Sequence, residues 1–329
     1  MARKRRKSNI KEIKKRMEIN DRRKHMIYDV IILGSGPAGL SAAIYAQRAR
    51  LNTLVIEEKP LSGGQILDTY EVDNYPGLQG IGGFELGMKF REHADTLGVT
   101  FHTAQVQKVQ AAGNLKEVVT EKETFQTKSV IVATGATHRK LGVQGEEELV
   151  GAGVSYCATC DGAFFKGKTV AVVGGGDVAL EDALFLARGC EKIYLIHRRD
   201  EFRGAKVLQE QVQKTENITV LWNSEVKEIQ GENKVEKILL HNNIEETDTT
   251  LEVQGIFIAV GIQPNNDAVK EVVAVDEQGY VKALEDTVTS EPGIFAAGDV
   301  RTKQLRQVIT AAADGANAVT SVERYLLTM

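Results

Sequence analysis

The chain has 329 residues, 42% of them apolar and 26% charged, with 3 cysteines and a formal net charge of −4. This length and balance suit a soluble globular chain of two domains, and three cysteines are too few for a disulphide-stapled secreted scaffold. No apolar run reaches the roughly 18 residues a membrane helix needs, and the N-terminus lacks the apolar core of a secretion signal, so a cytoplasmic location without membrane contact is expected.

The charge is unevenly placed. Residues 1–26 hold 12 of the 41 Lys/Arg against only Glu12, Glu18 and Asp21, a net of +9; the rest holds 29 basic and 42 acidic residues, a net of −13. A terminal block of this kind reads as a solvated, disordered arm, and the acidic body makes nucleic acid an unlikely partner. Patterned sequence begins directly after Met26.

Tyr28-Asp-Val-Ile-Ile-Leu33 predicts a buried strand, Gly34-Ser35-Gly36-Pro37-Ala38-Gly39 a tight turn, and Leu40 to Ala46 a helix. The pattern returns 140 residues on, where Thr169 to Val173 precede Gly174-Gly175-Gly176-Asp177-Val178-Ala179 and a second small-residue helix. A glycine-rich strand-turn-helix opens a dinucleotide-binding βαβ unit. Gly34 and Gly174 permit the turn, Gly36 and Gly176 admit a pyrophosphate, and Gly39 and Ala179 let helix pack on strand. The next strands separate the two ligands. Thr53-Leu-Val-Ile56 ends in Glu57, an acid that can accept from ribose hydroxyls and so suits FAD or NAD; Lys192 to Ile196 ends in His197-Arg198-Arg199, with Arg203 beyond, a cationic cluster that suits the 2′-phosphate of NADPH.

Between the repeats lie Cys157-Ala-Thr-Cys160 and Asp161. In a helical turn cysteines at i and i+3 share a face, and a helix N-terminus favours the thiolate, so the spacing reads as a redox pair. The other reading, half a zinc site, lacks two ligands, because Cys190 has only His197 near it; no metal is expected, and Cys190 reads as a buried apolar residue. Val130 to Gly135 and Gly255 to Gly261 are apolar strands ending in small turns. A third, Gly293 to Gly298, closes on Asp299, which can accept from a flavin ribityl hydroxyl. Arg306 and Gln307 precede a helix predicted over residues 308–324, beginning at Val308, whose N-terminus can face a flavin.

Taken together, Gly34 to Gly39, Gly63-Gly64-Gln65, Asn74-Tyr-Pro-Gly77, Ala133-Thr134-Gly135, Cys157 to Asp161, Gly174 to Gly176, His197 to Arg199 with Arg203, Gly298-Asp299 and Arg306-Gln307 resemble the low-molecular-weight, bacterial-type thioredoxin reductases. The resemblance spans residues 27–327; only the basic arm departs from it. It implies an α/β fold of two Rossmann-like domains, with an NADPH domain (138–261) inserted into an FAD domain (27–137 and 262–329), and it implies a homodimer. It implies electron flow from NADPH through FAD to Cys157/Cys160 and on to thioredoxin, with Asp161 as acid and base. Gly64, Gln65, Asn74, Ala133 to Gly135, Arg306, Gln307 and Val308 join the implied flavin contacts. Because the cysteines travel with the NADPH domain, nicotinamide and disulphide must alternate at the flavin, which implies domain rotation. Which cysteine attacks the partner stays open. A peroxiredoxin-type partner, oxygen or ferredoxin-linked supply are the alternatives on the same scaffold, and a flavin-binding regulatory protein is a more distant one.

Overall fold

The computed structural model describes residues 26–69, 71–72 and 74–329. The expectation of a solvated arm lies outside the described residues. Two compact units emerge, the first from residues up to Ile66, Leu86–Ala136 and Pro264–Met329, the second from Leu67–Glu85 and Thr137–Gln263. The fold is α/β with two Rossmann-like units, as the repeated glycine turns predict.

In the first unit, strand Ile27–Leu33 lies between strands Thr53–Glu57 and Thr124–Val132, parallel to both, and Thr100–Thr103 extends the sheet beyond Thr53–Glu57. Thr124–Val132 is shared. Its first half pairs antiparallel with Leu115–Thr120, which leads to Val106–Ala112, and its last residues pair parallel with Ile294–Ala296. The central strand is apolar on both faces because both are covered. Val30 and Ile32 pack with helices Pro37–Arg48 and Val308–Leu326, whereas Ile31 and Leu33 pack with Val109, Val118 and Phe125.

The second unit repeats the plan. Its parallel sheet runs Ile218–Leu221, Lys192–Ile196, Thr169–Val173, Gly255–Ile258, Val154–Ser155. Val170 and Val172 face helix Asp177–Ala187, while Ala171 and Val173 join a second core with an antiparallel meander, Ser224–Gln230, Lys237–Asn242 and Thr247–Glu252. Cys190 is a free, buried cysteine in the helix-side core. The chain passes between units after Ile66, Glu85, Ala136 and Gln263; the last two crossings run on strands Ala136–His138 and Ile262–Pro264, which pair with each other. Among the described residues no helix is long and apolar enough to cross a membrane.

Candidate functional site

The first glycine turn is built by close approach. A Cβ on Gly39 would lie 2.0 Å from the Gly34 carbonyl oxygen, so only glycine lets helix Pro37–Arg48 sit on the turn. Pro37 opens that helix, and its N-cap, Gly36, supplies no side-chain acceptor, which leaves the first N–H groups for an anion. Gly36 has room above it, since an added Cβ would meet only Gly63 O and Gly64 Cα at 3.9 Å. Glu57 Oε2 accepts both the N–H and the hydroxyl of Ser35 at 2.7 Å, and Oε1 accepts the Lys59 N–H at 2.9 Å. The acid at the end of the second strand therefore also fastens the turn.

Other first-unit candidates gather at strand ends. Thr134 donates its hydroxyl to the Asn265 carbonyl, and Asn265 Nδ2 returns a bond to the Thr134 carbonyl at 3.0 Å, stitching the Ala133-Thr134-Gly135 turn to a residue 131 positions away. Gln65, in the short helical turn Gly64–Asp68, donates to Ala136 O at 2.5 Å. The Gly298 N–H donates to Asp314 Oδ2 at 2.8 Å, which fixes the turn Gly298–Val300 that carries Asp299. Asp314 is itself clamped by Arg301 (2.8 and 2.6 Å) and Lys303 (2.9 Å). Gln307 caps helix Val308–Leu326 in a reciprocal box with Thr310, and Arg306 lies 4.0 Å from the centre of the Tyr280 ring. Asn74 falls in Leu67–Glu85, the segment that groups with the second unit.

Two buried polar atoms here have no partner among the described residues, Asp299 Oδ1 and Arg306 Nε. Burial pushes the Asp299 carboxyl up, with Lys303 and Arg306 working against it. An unsatisfied acceptor and an unsatisfied donor in one unit, with the open glycine turn, match the hydroxyls, carbonyls and pyrophosphate of a flavin dinucleotide. Gly39→Val is expected to yield protein purified with little bound flavin, read from visible absorption. A full complement would show that the helix can leave the turn without cost to the site.

At the second turn the arginines and the histidine part company. Arg198, Arg199 and Arg203 are exposed, and the Arg203 N–H is held to the Gly175 carbonyl at 2.8 Å. His197 is buried, 5% exposed, with ring Nε2 3.0 Å from the Glu201 carbonyl, and its ring packs against Phe202 and Trp222. Burial holds its pKa below the usual histidine range, with the Glu201 contact opposing and the three arginines assisting. A Cβ on Gly175 would fall 2.2 Å from the imidazole, so His197 is the floor of the turn and not an exposed cation. Gly176, in contrast, has open space where a Cβ would stand. Asp177 Oδ1 accepts the Ala205 N–H at 2.6 Å, and Ala179 is buried against the sheet.

Cys157 and Cys160 form a disulphide with Cα atoms 5.3 Å apart. Cys157 is the N-cap of the short helix Ala158–Asp161, and its sulphur accepts the Cys160 N–H at 3.2 Å. Asp161 Oδ2 accepts the Ser155 hydroxyl at 2.6 Å, while Oδ1 is buried without a partner among the described residues. Burial raises the Asp161 pKa, and the Ser155 bond partly offsets it. Next to Cys157, the Tyr156 ring stacks on His138 with centroids 5.3 Å apart, and its hydroxyl donates to Glu146 at 2.8 Å. Glu146, 1% exposed, also accepts the Leu141 and Gly142 N–H groups at 3.0 and 2.7 Å. Sequence reasoning passed over Ser155, Tyr156, Glu146, Asn265 and Asp314. The one available signal was a serine two residues before a CxxC, too common to single out.

Residues 28–315 match the family described as pyridine nucleotide-disulphide oxidoreductase. The chain belongs to that family. A thioredoxin reductase of Listeria innocua is 44% identical over 91% of this chain and 94% of its own length. The crystal structure of thioredoxin reductase from Streptococcus pyogenes superposes with a TM-score of 0.89 at 44% identity, covering 92% of this chain and 99% of that one. The Lactococcus lactis thioredoxin reductase, solved in an "FR conformation", covers 92% of this chain and 100% of its own at 42% identity, with a TM-score of 0.64. This pyridine nucleotide-disulphide oxidoreductase is an enzyme, its cofactors are FAD and NADPH, and Cys157–Cys160 is its redox-active disulphide.

Proposed function

We propose that the enzyme reduces the disulphide of thioredoxin with electrons from NADPH. The observation that carries this reading is the Cys157–Cys160 disulphide beside a half-buried acid, Asp161, in the same unit as the arginine-rimmed glycine turn. Bound FAD would supply the redox chemistry that links NADPH to the Cys157–Cys160 disulphide.

In this reading the FAD domain comprises residues 27–137 and 262–329 and the NADPH domain residues 138–261. Gly34, Ser35, Gly36, Pro37, Ala38, Gly39, Glu57, Gly64, Gln65, Asn74, Ala133, Thr134, Gly135, Gly298, Asp299, Arg306, Gln307 and Val308 serve FAD. Gly174, Gly175, Gly176, Asp177 and Ala179 form the NADPH turn, Arg198, Arg199 and Arg203 hold the 2′-phosphate, and His197 supports them from below. The second unit swings on its paired crossings so that nicotinamide and disulphide take turns. A homodimer in the cytoplasm is the expected setting.

The cysteine chemistry is thiol–disulphide exchange. The Cys160 N–H already points at the Cys157 sulphur, so in the dithiol negative charge is favoured on Cys157. Cys157 attacks one sulphur of the partner and expels the other as a thiolate, to which Asp161 gives a proton. Cys160 then attacks Cys157, releasing the partner's second thiolate, and the Cys160 thiol proton returns to Asp161, which ends as it began. The second leaving thiolate takes its proton from water.

NADPH oxidation should depend on added oxidised thioredoxin. Equal consumption without it would move the assignment to another acceptor. Arg199→Ala and Arg203→Ala are expected to raise KM for NADPH by about 10- to 100-fold, the loss of one charge-assisted phosphate contact, with KM for NADH little changed. Equal losses with both nucleotides would mean that the arginines do not read the 2′-phosphate.

A further inference from the structure

Ser155 stands at the centre of the polar contacts behind the cysteine pair. It is 5% exposed and ends the short strand Val154–Ser155, where it pairs with Phe257 of the sheet. Its oxygen accepts the Cys157 N–H at 3.1 Å. Its hydroxyl has two acceptors in reach, Asp161 Oδ2 at 2.6 Å and the Cys157 carbonyl at 3.3 Å.

We propose that Ser155 is a positioning residue for the acid–base step: its hydroxyl hydrogen-bonds Asp161 in both protonation states and ties the acid to the Cys157 backbone. When Asp161 is a carboxylate, Ser155 donates to Oδ2. When Asp161 carries the proton, the carboxylic acid donates to the serine oxygen and the serine hydrogen turns to the Cys157 carbonyl. Neither state leaves the serine or Asp161 Oδ2 unpaired, which matters in a place where an unmet polar group is costly. Alanine meets neither state, and it also removes the bond that the Cys157 N–H makes to the serine oxygen. Asp161 opens on a cavity of about 210 Å³ whose lining includes Ser155, Phe164, Phe165 and Gln254, with Lys168 and Lys234 its cationic lining among the described residues. The Ser155 hydrogen bond opposes the effect of burial on Asp161.

The inference rests on Asp161 acting as acid and base, so the test separates the two ideas. Turnover with NADPH and oxidised thioredoxin is measured from pH 5 to 9 for wild type, Ser155→Ala, Ser155→Thr and Asp161→Asn, with NADPH reduction of the bound flavin followed separately. Removing a donor to the carboxylate favours the protonated form, so Ser155→Ala should move the Asp161 limb to higher pH by about one unit. Because Asp161 starts the cycle protonated, that shift by itself does not lower turnover; the roughly tenfold fall expected on the low-pH plateau reports an acid no longer held in place, and flavin reduction, which does not use Asp161, should keep its wild-type rate. Ser155→Thr, which keeps the hydroxyl, should retain the wild-type limb, and Asp161→Asn should lose the limb altogether. If Asp161→Asn removes the limb but Ser155→Ala leaves it in place, the role of Ser155 is overturned while Asp161 stands. If Asp161→Asn keeps the limb, the acid–base reading falls and takes this one with it. A threonine variant displaced as far as alanine would mean that packing, not the hydroxyl, is at work. Should the alanine variant lose its flavin, Ser155→Cys, a similar shape with a weak donor, carries the same measurement and the same expected direction.

Discussion

Cys157→Ser and Cys160→Ser are each expected to lower turnover with thioredoxin on the order of a thousandfold or more, because neither variant can close the second exchange step. Anaerobic titration gives the cleaner reading. Wild type should take up about two equivalents of NADPH, one for the flavin and one for the disulphide, and each serine variant about one. Equal uptake by wild type and variants would remove the pair from the electron path. The two variants should also differ. The remaining sulphur of Cys160→Ser sits at the N-cap and accepts the N–H of residue 160, so it should alkylate faster with iodoacetamide than the sulphur left in Cys157→Ser.

The second large effect is structural and lies in the first unit. Arg301 and Asp314 are 6% and 4% exposed and joined by two bonds of 2.8 and 2.6 Å. Removing one member of a buried pair strands the other, at a cost of about 3–5 kcal/mol. Asp314→Ala also frees the Gly298 N–H, and with it the turn that carries Asp299. The expected result is a lower unfolding midpoint together with faster loss of flavin on dilution. A variant that melts like wild type would show the cluster to be dispensable. The pH dependence has a definite sign. Burial alone would raise the Asp314 pKa, but the bonds from Arg301 and Lys303, with the Gly298 N–H, hold it below 3.8. A carboxylate with a depressed folded-state pKa contributes stability above its unfolded value and loses it as pH falls through the folded one. The Asp314 share of stability should therefore be intact at neutral pH and decay only below about pH 4.

Much of this was legible in the sequence because it is local. A strand, a glycine turn and a helix occupy some twenty consecutive residues, and their repetition announced the two Rossmann-like units; the CxxC pair likewise needs only the four residues Cys157 to Cys160 to define its geometry. What stayed hidden is assembled from distant segments. Thr134 meets Asn265 across 131 positions and Gly298 meets Asp314 across 16, and no periodicity marks either partner. Ser155 is hidden for a different reason, since its importance lies in hydrogen-bond directions at one atom. Nor could residue type tell that the segment Leu67–Glu85, which holds Asn74, groups with the second unit. The His197-Arg198-Arg199 tripeptide shows the limit most clearly: it reads as one cationic patch, yet burial divides it.

That division bears on redesign of nucleotide preference. If the arginines read the 2′-phosphate as proposed, an engineer who exchanged the whole tripeptide for an acidic, NADH-type sequence would also pull out the imidazole on which Gly175 rests, and would disturb the glycine turn along with the phosphate contact. The coenzyme switch and the keystone are adjacent in the chain but separable in space, so a successful swap keeps the histidine and rewrites only its neighbours.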